Sequence, residues 1–423
     1  MKPQERSTDW VYSLLPINIA LGPVGTFVQL YILELHGTVI DIGLAVTLFN
    51  AVSIPAAMIW GFATDRIPRR KPLIIGSYLA VAGTLAIFLF TRSIYGVDLL
   101  YSAFSLFSSA AATPLNLLIL ETKPKSSWAV AFSEFSMVSS VGITIGLVLG
   151  VAWGDFIPLD LIVLPLAGLC VLSAGLSAIM IKEAGVPFEP SIVTQIRRSF
   201  YERLLVLPLF FLKVPRMMDF RRVFKGLQYE LTRDTQVLYL SILMFYLASG
   251  IFNTSMVPSL YKSGVSKSQI FLVSLAGMFV QTLAFRYMGP YIEKRSLKHA
   301  AVIGLILRAT CYGLFGLAVY LFTGIFYLGS ALLLYPVAAG IAYAAYYAAS
   351  NVMVFNTLRH GNQGSALGVY SALVGFATML GSFISGFTSF YFGFYVTFII
   401  AGLCLASAAK LTTMITAPHA ARV

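Results

Sequence analysis

Ionisable groups are scarce inside the long apolar runs of this chain, so each one found there is a candidate for chemistry. Such runs are long enough to cross a bilayer, and a charge within the bilayer is costly and marks an ion or solute path by default. Glu134 lies two turns into the run 127–153. A carboxylate there can bind a proton, or can form a gate with Glu121, Lys123 and Lys125. Arg308 stands near the middle of the run 299–322. It can bind an anionic solute, or it can snorkel to the surface or bond to neighbouring carbonyls. Arg286 sits near a run end, where anchoring suffices, and Glu34 and Asp41 flank a turn and read as solvated.

Neutral polar side chains in these runs fall in stripes. One run offers Asn18, Gly22, Thr26 and Gln29; a second offers Ser102, Ser105, Ser109, Thr113 and Asn116. A third offers Tyr239, Tyr246, Ser249 and Asn253; a fourth offers Tyr343, Tyr346, Tyr347, Ser350 and Asn351. Each set advances by three or four residues, or by sums of such steps, and so lies on one helical face. Such stripes suit a solute path, and the same residue types serve hydrogen bonding between helices. Asn50 and Gln281 are second-line candidates. The glycines at 142, 146 and 150 are spaced for close helix approach. Cys170, Cys311 and Cys404 are far apart, inside apolar runs, and the four histidines fall near run ends or in the tail. Neither set has metal spacing, so no metal and no cofactor is expected. There is no nucleotide-binding G-x-x-x-x-G-K-[ST] loop and no nucleophile–base–acid constellation, and the chain reads as not an enzyme.

The elements that must position these residues are membrane helices. Of 423 residues 58% are hydrophobic and only 11% charged, outside the range of ordinary soluble domains. Backbone groups in lipid must be bonded internally, and the runs are continuously apolar rather than alternating, which excludes a β-barrel. Twelve spans are expected, at about 10–35, 39–63, 72–92, 97–120, 127–153, 158–181, 235–261, 267–289, 299–322, 325–356, 363–389 and 393–416. Residues 309–358 and 361–409 carry no Asp, Glu, Lys or Arg, and are split at Thr323-Gly324 and near Gly393. Trp10–Leu33 is 24 uncharged residues, too long for a cleaved signal, and reads as a retained first helix.

Between spans 2 and 3 lies a basic elbow, Gly61-Phe62-Ala63-Thr64-Asp65-Arg66-Ile67-Pro68-Arg69-Arg70-Lys71, with five charges in its last seven residues. A cytoplasmic N-terminus puts the elbow, Lys2, Arg6, Lys123, Lys125, Lys182, Lys294, Arg295, Lys298 and Arg359 inside, and leaves only Arg92, Lys262 and Lys267 outside. That asymmetry follows the positive-inside rule, and an even span count makes both termini cytoplasmic. The net charge of +12 is accordingly assigned to topology and anionic lipid, not to nucleic acid. The segment 183–234 mixes nine bases with six acids, and its apolar run Leu204–Leu212 is too short to cross; amphipathic helices on the inner surface are expected. The domain plan is 1–182, a linker 183–234, and 235–423.

The elbow recurs. An offset of 228 pairs Gly61 with Gly289, Asp65 with Glu293, Arg66 with Lys294, Arg70 with Lys298, Gly76 with Gly304, Gly22 with Gly250 and Thr26 with Thr254. An offset of 235 pairs Gly146 with Gly381 and Phe135 with Tyr370. Two six-span halves with a weak repeat indicate a transporter built from repeats. Gly61-xxx-Asp65-Arg66-xx-Arg69-Arg70-Lys71, with its degenerate copy at Gly289–Lys298, resembles the signature loop of the major facilitator superfamily.

The resemblance implies an all-α polytopic membrane protein with two pseudo-symmetric six-helix bundles and one site open alternately to each side. It implies that Gly61 allows close packing and that Asp65 latches onto the start of span 11 near Gln363–Ser365, with Arg66, Arg69 and Arg70 in the same motif. It implies that spans 1, 4, 7 and 10 line the cavity, placing Asn18, Thr26, Gln29, Ser105, Ser109, Asn116, Tyr246, Asn253, Tyr343, Tyr347 and Asn351 on the pathway, and that span 9 is peripheral. Proton-linked drug exporters of the family carry a proline among the span 5 glycines and an arginine in span 4; both are missing here. The expected function is a monomeric cell-membrane carrier of a small organic solute, with Glu134 for protons. A gradient-driven uniporter, a drug or metabolite exporter, and a non-transporting receptor or scaffold stay open as alternatives.

Overall fold

The computed structural model describes residues 9–67, 69–122, 128–181, 233–293, 296–357 and 363–415. Contacts divide the chain into one unit of Met1–Ile181 with Val237–Val423, and a second of Lys182–Gln236. The surface helices expected for 183–234 lie outside the described residues, of which only 233 and 234 belong to that segment, at the start of span 7.

Among the described residues there are only helices and turns, and twelve helices are long and apolar enough to cross a membrane. They are Trp10–Glu34, Val39–Gly61, Lys71–Phe88, Ile94–Ile119, Glu134–Trp153, Leu159–Met180, Arg233–Lys262, Lys267–Met288, Leu297–Leu321, Gly324–Val354, Ala372–Tyr391 and Gly393–Met414, spans 1 to 12 in order. Local chemistry sets several ends. Thr38 Oγ1 accepts the Asp41 N–H at 3.3 Å and Asp41 Oδ2 accepts the Thr38 N–H at 2.6 Å, a capping box that starts span 2. Asp41 is thus a cap and not merely a solvated charge. The two charge-free stretches break at glycines with positive φ, Gly324 at 55° and Gly393 at 85°, a conformation glycine adopts without steric cost.

Spans 4 and 10 are not continuous α-helices. Span 4 tightens into a 3₁₀ turn at Ser109–Ala111 before resuming at Ala112. Pro114 has no N–H for the Ala110 carbonyl, and its ring crowds that turn. Span 10 widens into a π-segment, Pro336–Ala342, between α-helical Gly324–Tyr335 and Tyr343–Thr357. Pro336 likewise denies the Leu332 carbonyl its donor.

Lipid tails are as apolar as leucine, so spans are held by close packing and buried hydrogen bonds rather than by hydrophobic collapse. Span 5 crosses span 1 at glycines: a Cβ on Gly142 would lie 2.6 Å from Asn18 Cβ, and one on Gly146 would overlap the Ile19 carbonyl. Span 11 crosses span 7 the same way, where a Cβ on Gly250 would lie 2.6 Å from the Thr378 carbonyl and one on Gly381 would overlap the Leu247 carbonyl. The residues paired by the sequence repeat therefore stand at equivalent crossings. Buried hydroxyls add Ser13 to Ser177 at 3.1 Å, Ser241 to Thr412 at 2.8 Å and Ser255 to Ser389 at 2.6 Å, worth about 0.6 kcal/mol each. Cys170 and Cys311 are buried and unbridged.

Overpacking one crossing tests this account. Gly146→Val is expected to cost about 1–3 kcal/mol and to lower the Tm in thermal denaturation. Gly168→Ala, where a Cβ meets nothing within 4 Å, is expected to leave the Tm near wild type.

Candidate functional site

Two faces of the molecule matter, the elbow face and the opposite one. At the elbow, the Arg70 guanidinium donates to the Thr64 carbonyl at 2.5 Å and the Ile67 carbonyl at 3.2 Å, so it caps the C-terminal end of span 2. A cation belongs there on electrostatic grounds, since helix C-termini carry partial negative charge. Its repeat partner Lys298 donates to the Ile415 carbonyl at 2.7 Å, capping the end of span 12. A Cβ on Gly61 would meet no described atom within 4 Å, so close packing at Gly61 is not among the described contacts. Asp65 and Arg66 fall in the last turn of the helix Val39–Arg66, and Gly289 and Glu293 in the last turns of Lys267–Glu293. The side chains of Asp65, Arg66, Gln363 and Glu293, and all of Lys294, lie outside the described residues, and with them the expected latch.

A latch is described on the opposite face. Asp155, after span 5, receives the Ser268 N–H on Oδ1 at 3.3 Å and the Ser266 hydroxyl on Oδ2 at 2.7 Å, while its own N–H donates to Ser268 Oγ at 3.1 Å. A carboxylate of the first bundle thus caps the N-terminus of span 8 in the second, an arrangement worth about 0.3–1 kcal/mol. Beside it Lys267 pairs with Glu34, both side chains about a quarter exposed. Glu34 is therefore ion-paired and not simply solvated. Glycines bring the backbones together. A Cβ on Gly43 would lie 2.7 Å from Gly386 Cα, and one on Gly150 would lie 2.5 Å from the Phe271 ring. Toward the middle, Thr26 Oγ1 stands 3.5 Å from Ser274 Oγ and Thr378 Oγ1 3.5 Å from Asn50 Oδ1. On the same face Arg92 pairs with Asp160 at 2.9 Å and donates to the Tyr31 hydroxyl at 3.0 Å. Those two hydrogen bonds, Asp160 first, hold its pKa above the ordinary guanidinium value.

The expected pathway residues divide. Tyr246, Tyr343 and Tyr347 come together: Tyr343 stacks on Tyr347 at 5.4 Å, and the Tyr246 hydroxyl is 3.4 Å from that of Tyr370. Phe285 of span 8 packs edge-on against both Tyr343 and Tyr347. Asn116 and Asn253 are exposed, and Asn351 is half-buried. Ser105 and Ser109 serve packing, donating at 2.8 Å to the Phe49 carbonyl and at 2.7 Å to the Ser105 carbonyl. Asn18 donates to the Leu14 carbonyl at 2.8 Å, and Gln29 Oε1 is buried without a partner among the described residues. A cavity of about 170 Å³ opens beside the break in span 4, lined by Asn18, Tyr78, Ser108, Ala112, Phe135 and Ser139. That is below the roughly 300–1,000 Å³ of typical small-molecule sites.

Glu134 is half-buried, with the Tyr12 hydroxyl 3.5 Å from its Oε1, and so is less enclosed than the apolar run around it suggests. Arg308 does not snorkel, and among the described residues it bonds to no carbonyl. It is 3% exposed, its Nε donates to the Tyr312 hydroxyl at 2.9 Å, and its guanidinium carbon lies 4.7, 5.2 and 5.3 Å from the ring centroids of Phe245, Tyr312 and Tyr343. Sequence reasoning passed over Asp98, one turn into span 4, whose Oδ1 is buried with no partner among the described residues. The signal was a carboxylate inside an apolar run. It also passed over Pro114 and Pro336, which interrupt corresponding spans of the two halves, a pattern that points to the binding site in repeat-built transporters.

Twelve spans in two six-helix bundles, with helices broken at corresponding positions, define a polytopic membrane transporter. The chain belongs to the major facilitator superfamily, whose model matches residues 13–218 and 238–421. Solved structures share the fold. The nucleoside transporter NupG is 14% identical, with TM-score 0.71 over 96% of this chain and 97% of that one. A mutant of the peptide transporter POT, in complex with sulfate, is 11% identical, with TM-score 0.71 over 98% of each chain. A bacterial homologue of the human lysosomal transporter Spinster, in its inward-facing and unoccupied conformation, is 16% identical, with TM-score 0.71 over 96% and 94%. No curated protein matches the sequence.

Weakening the described latch is expected to expose the middle of the molecule. Asp155→Asn and Glu34→Gln should each speed maleimide labelling of a cysteine placed at Ser274, by about two- to fivefold, the factor for roughly 0.3–1 kcal/mol. The labelling would be read in a background with the three native cysteines replaced.

Proposed function

We propose that this protein is a secondary transporter that moves a small organic solute by rocker-switch alternating access, as a monomer, in a cell membrane with both termini cytoplasmic. One observation carries this reading: the two bundles meet through a glycine-lined, ion-paired seam on the face away from the basic elbow. Positive-inside charge assigns the elbow to the cytoplasm, so the seam closes the outer side. Alternation requires a second seam at the elbow face, and Asp65 with Arg69 is its proposed latch against the start of span 11. The residues 1–182 and 235–423 are the rocking bodies, joined by 183–234.

The solute path runs between spans 1, 4, 7 and 10, with Tyr246, Tyr343 and Tyr347 on one wall and Asn18, Thr26 and Gln29 on the other. Asn116 and Asn253 belong to its exposed part, and the half-buried Asn351 lies on the path as well. The neighbouring structures are transporters of nucleosides and peptides in one case each, which supports the carrier mechanism and leaves the cargo to this chain's own residues. Energy comes from a gradient. Glu134 is the proposed proton-binding carboxylate, beside the Tyr12 hydroxyl.

Proteoliposome counterflow with solutes found by thermal shift tests the proposal. Wild type should exchange solute. Gly43→Leu, which wedges the outer seam apart, should cut exchange about tenfold or more while solute still binds. Glu134→Gln should abolish solute-linked proton movement. If no solute exchanges, no imposed pH gradient dissipates and Asp65→Asn leaves every cellular phenotype intact, the carrier reading is wrong.

A further inference from the structure

Arg308 is the group that the fold leaves least explained. A guanidinium stays protonated in any protein environment, and an uncompensated charge in the interior is strongly destabilising. Among the described residues Arg308 makes no ion pair, and its buried Nη1 has no hydrogen-bond partner. Its surroundings are three aromatic faces, Phe245, Tyr312 and Tyr343, and one phenol that accepts its Nε–H. Cation–π contact offsets part of the desolvation. It supplies no counter-charge.

The side chain also points the unexpected way. It originates on span 9 and reaches Phe245 of span 7 and Tyr343 of span 10. Tyr343 is the middle of the tyrosine cluster, stacked on Tyr347, with Phe285 edge-on to both. This ring links the guanidinium to Tyr347, which is 37% exposed. Tyr343 begins the α-helical turn directly after the π-segment Pro336–Ala342. Extra-residue turns of this kind occur frequently at functional sites. A guanidinium whose Nη1 is bare, with one of its three neighbouring rings directly following a helix defect, is suited to donating a charge-assisted hydrogen bond to an oxyanion.

We propose that the solute is an organic carboxylate with an aromatic or apolar body. Its carboxylate pairs with Arg308 once Tyr343 swings aside, and its body lies against Tyr343, Tyr347 and Phe285. Arg308 is thus the specificity-determining residue of the second bundle. This rests on the carrier reading given above, and it narrows the cargo to one charge class.

Matched acid and amide probes test it on the full-length purified protein: phenylacetate against phenylacetamide, indole-3-acetate against its amide, and hexanoate against hexanamide. The acids should raise the wild-type Tm and the amides should not. Arg308→Gln should weaken acid binding by about tenfold or more, and Arg308→Lys should restore part of it, because a point charge replaces the fork. In the absence of solute, Arg308→Met should raise the Tm, since the unpaired charge is removed and the ring contacts are kept. A fall in Tm for Arg308→Met would assign Arg308 a structural role and overturn the proposal. So would acids and amides shifting the Tm equally, acid binding that survives Arg308→Gln, or no acid of the panel shifting the Tm at all. Acid binding with no acid flux in proteoliposomes would instead sink the carrier reading and leave this assignment standing.

Discussion

The contact on which the rest depends is backbone against backbone at Gly43 and Gly386, where a Cβ on either residue would lie 2.7 or 3.1 Å from the other's Cα. In lipid no apolar surface is hidden from water when two helices meet, so affinity between bundles must come from close approach and polar pairing. Gly43 with Gly386, and Gly150 with the Phe271 ring, give the approach. Asp155 on the N-terminus of span 8 and Glu34 with Lys267 give the pairing. Each polar contact is exposed enough to be worth only about 1 kcal/mol or less. A seam assembled from such parts holds a state without trapping it, which is what an alternating carrier needs.

Within each bundle the same device is used more deeply. Gly22 and Gly146 let spans 1 and 5 cross, and Gly250 and Gly381 do the same for spans 7 and 11. Overlap with carbonyls at both crossings means that neither can accept even a methyl group without moving a helix. Buried serines then tie the bundles internally, as at Ser255 with Ser385 and Ser389. Crossings this tight suit the proposed carrier, in which each bundle moves as a unit.

Much of this was legible in the sequence because it is written in local patterns. Span length, charge-free runs and the glycines at 324 and 393 are one-dimensional signals, and all twelve spans follow from them. The repeat was legible too, since glycines needed at equivalent crossings are kept at equivalent spacings. The tyrosines 246, 343 and 347 were found by helical phase and do converge. The seam was not legible: Glu34 and Lys267 are 233 residues apart, and no spacing rule pairs them. The breaks in spans 4 and 10 were missed although Pro114 and Pro336 announce them. Arg308 stood as a candidate for an anionic solute with the peripheral place of span 9 against it, but a long, flexible side chain acts where its fork ends. Ser105 shows the opposite error, a correct helical face whose hydroxyl is spent on the Phe49 carbonyl.

The central claim is that one seam opens as another closes. Spin-label distances would be measured in a cysteine-free background for two pairs, Thr38 with Tyr391 on the outer face and Ile67 with His299 on the elbow face, in wild type and in Gly43→Leu. The account predicts that the substitution lengthens the Thr38–Tyr391 distribution and shortens the Ile67–His299 distribution together. Lengthening of the outer pair with no change at the elbow, or lengthening of both, would contradict it.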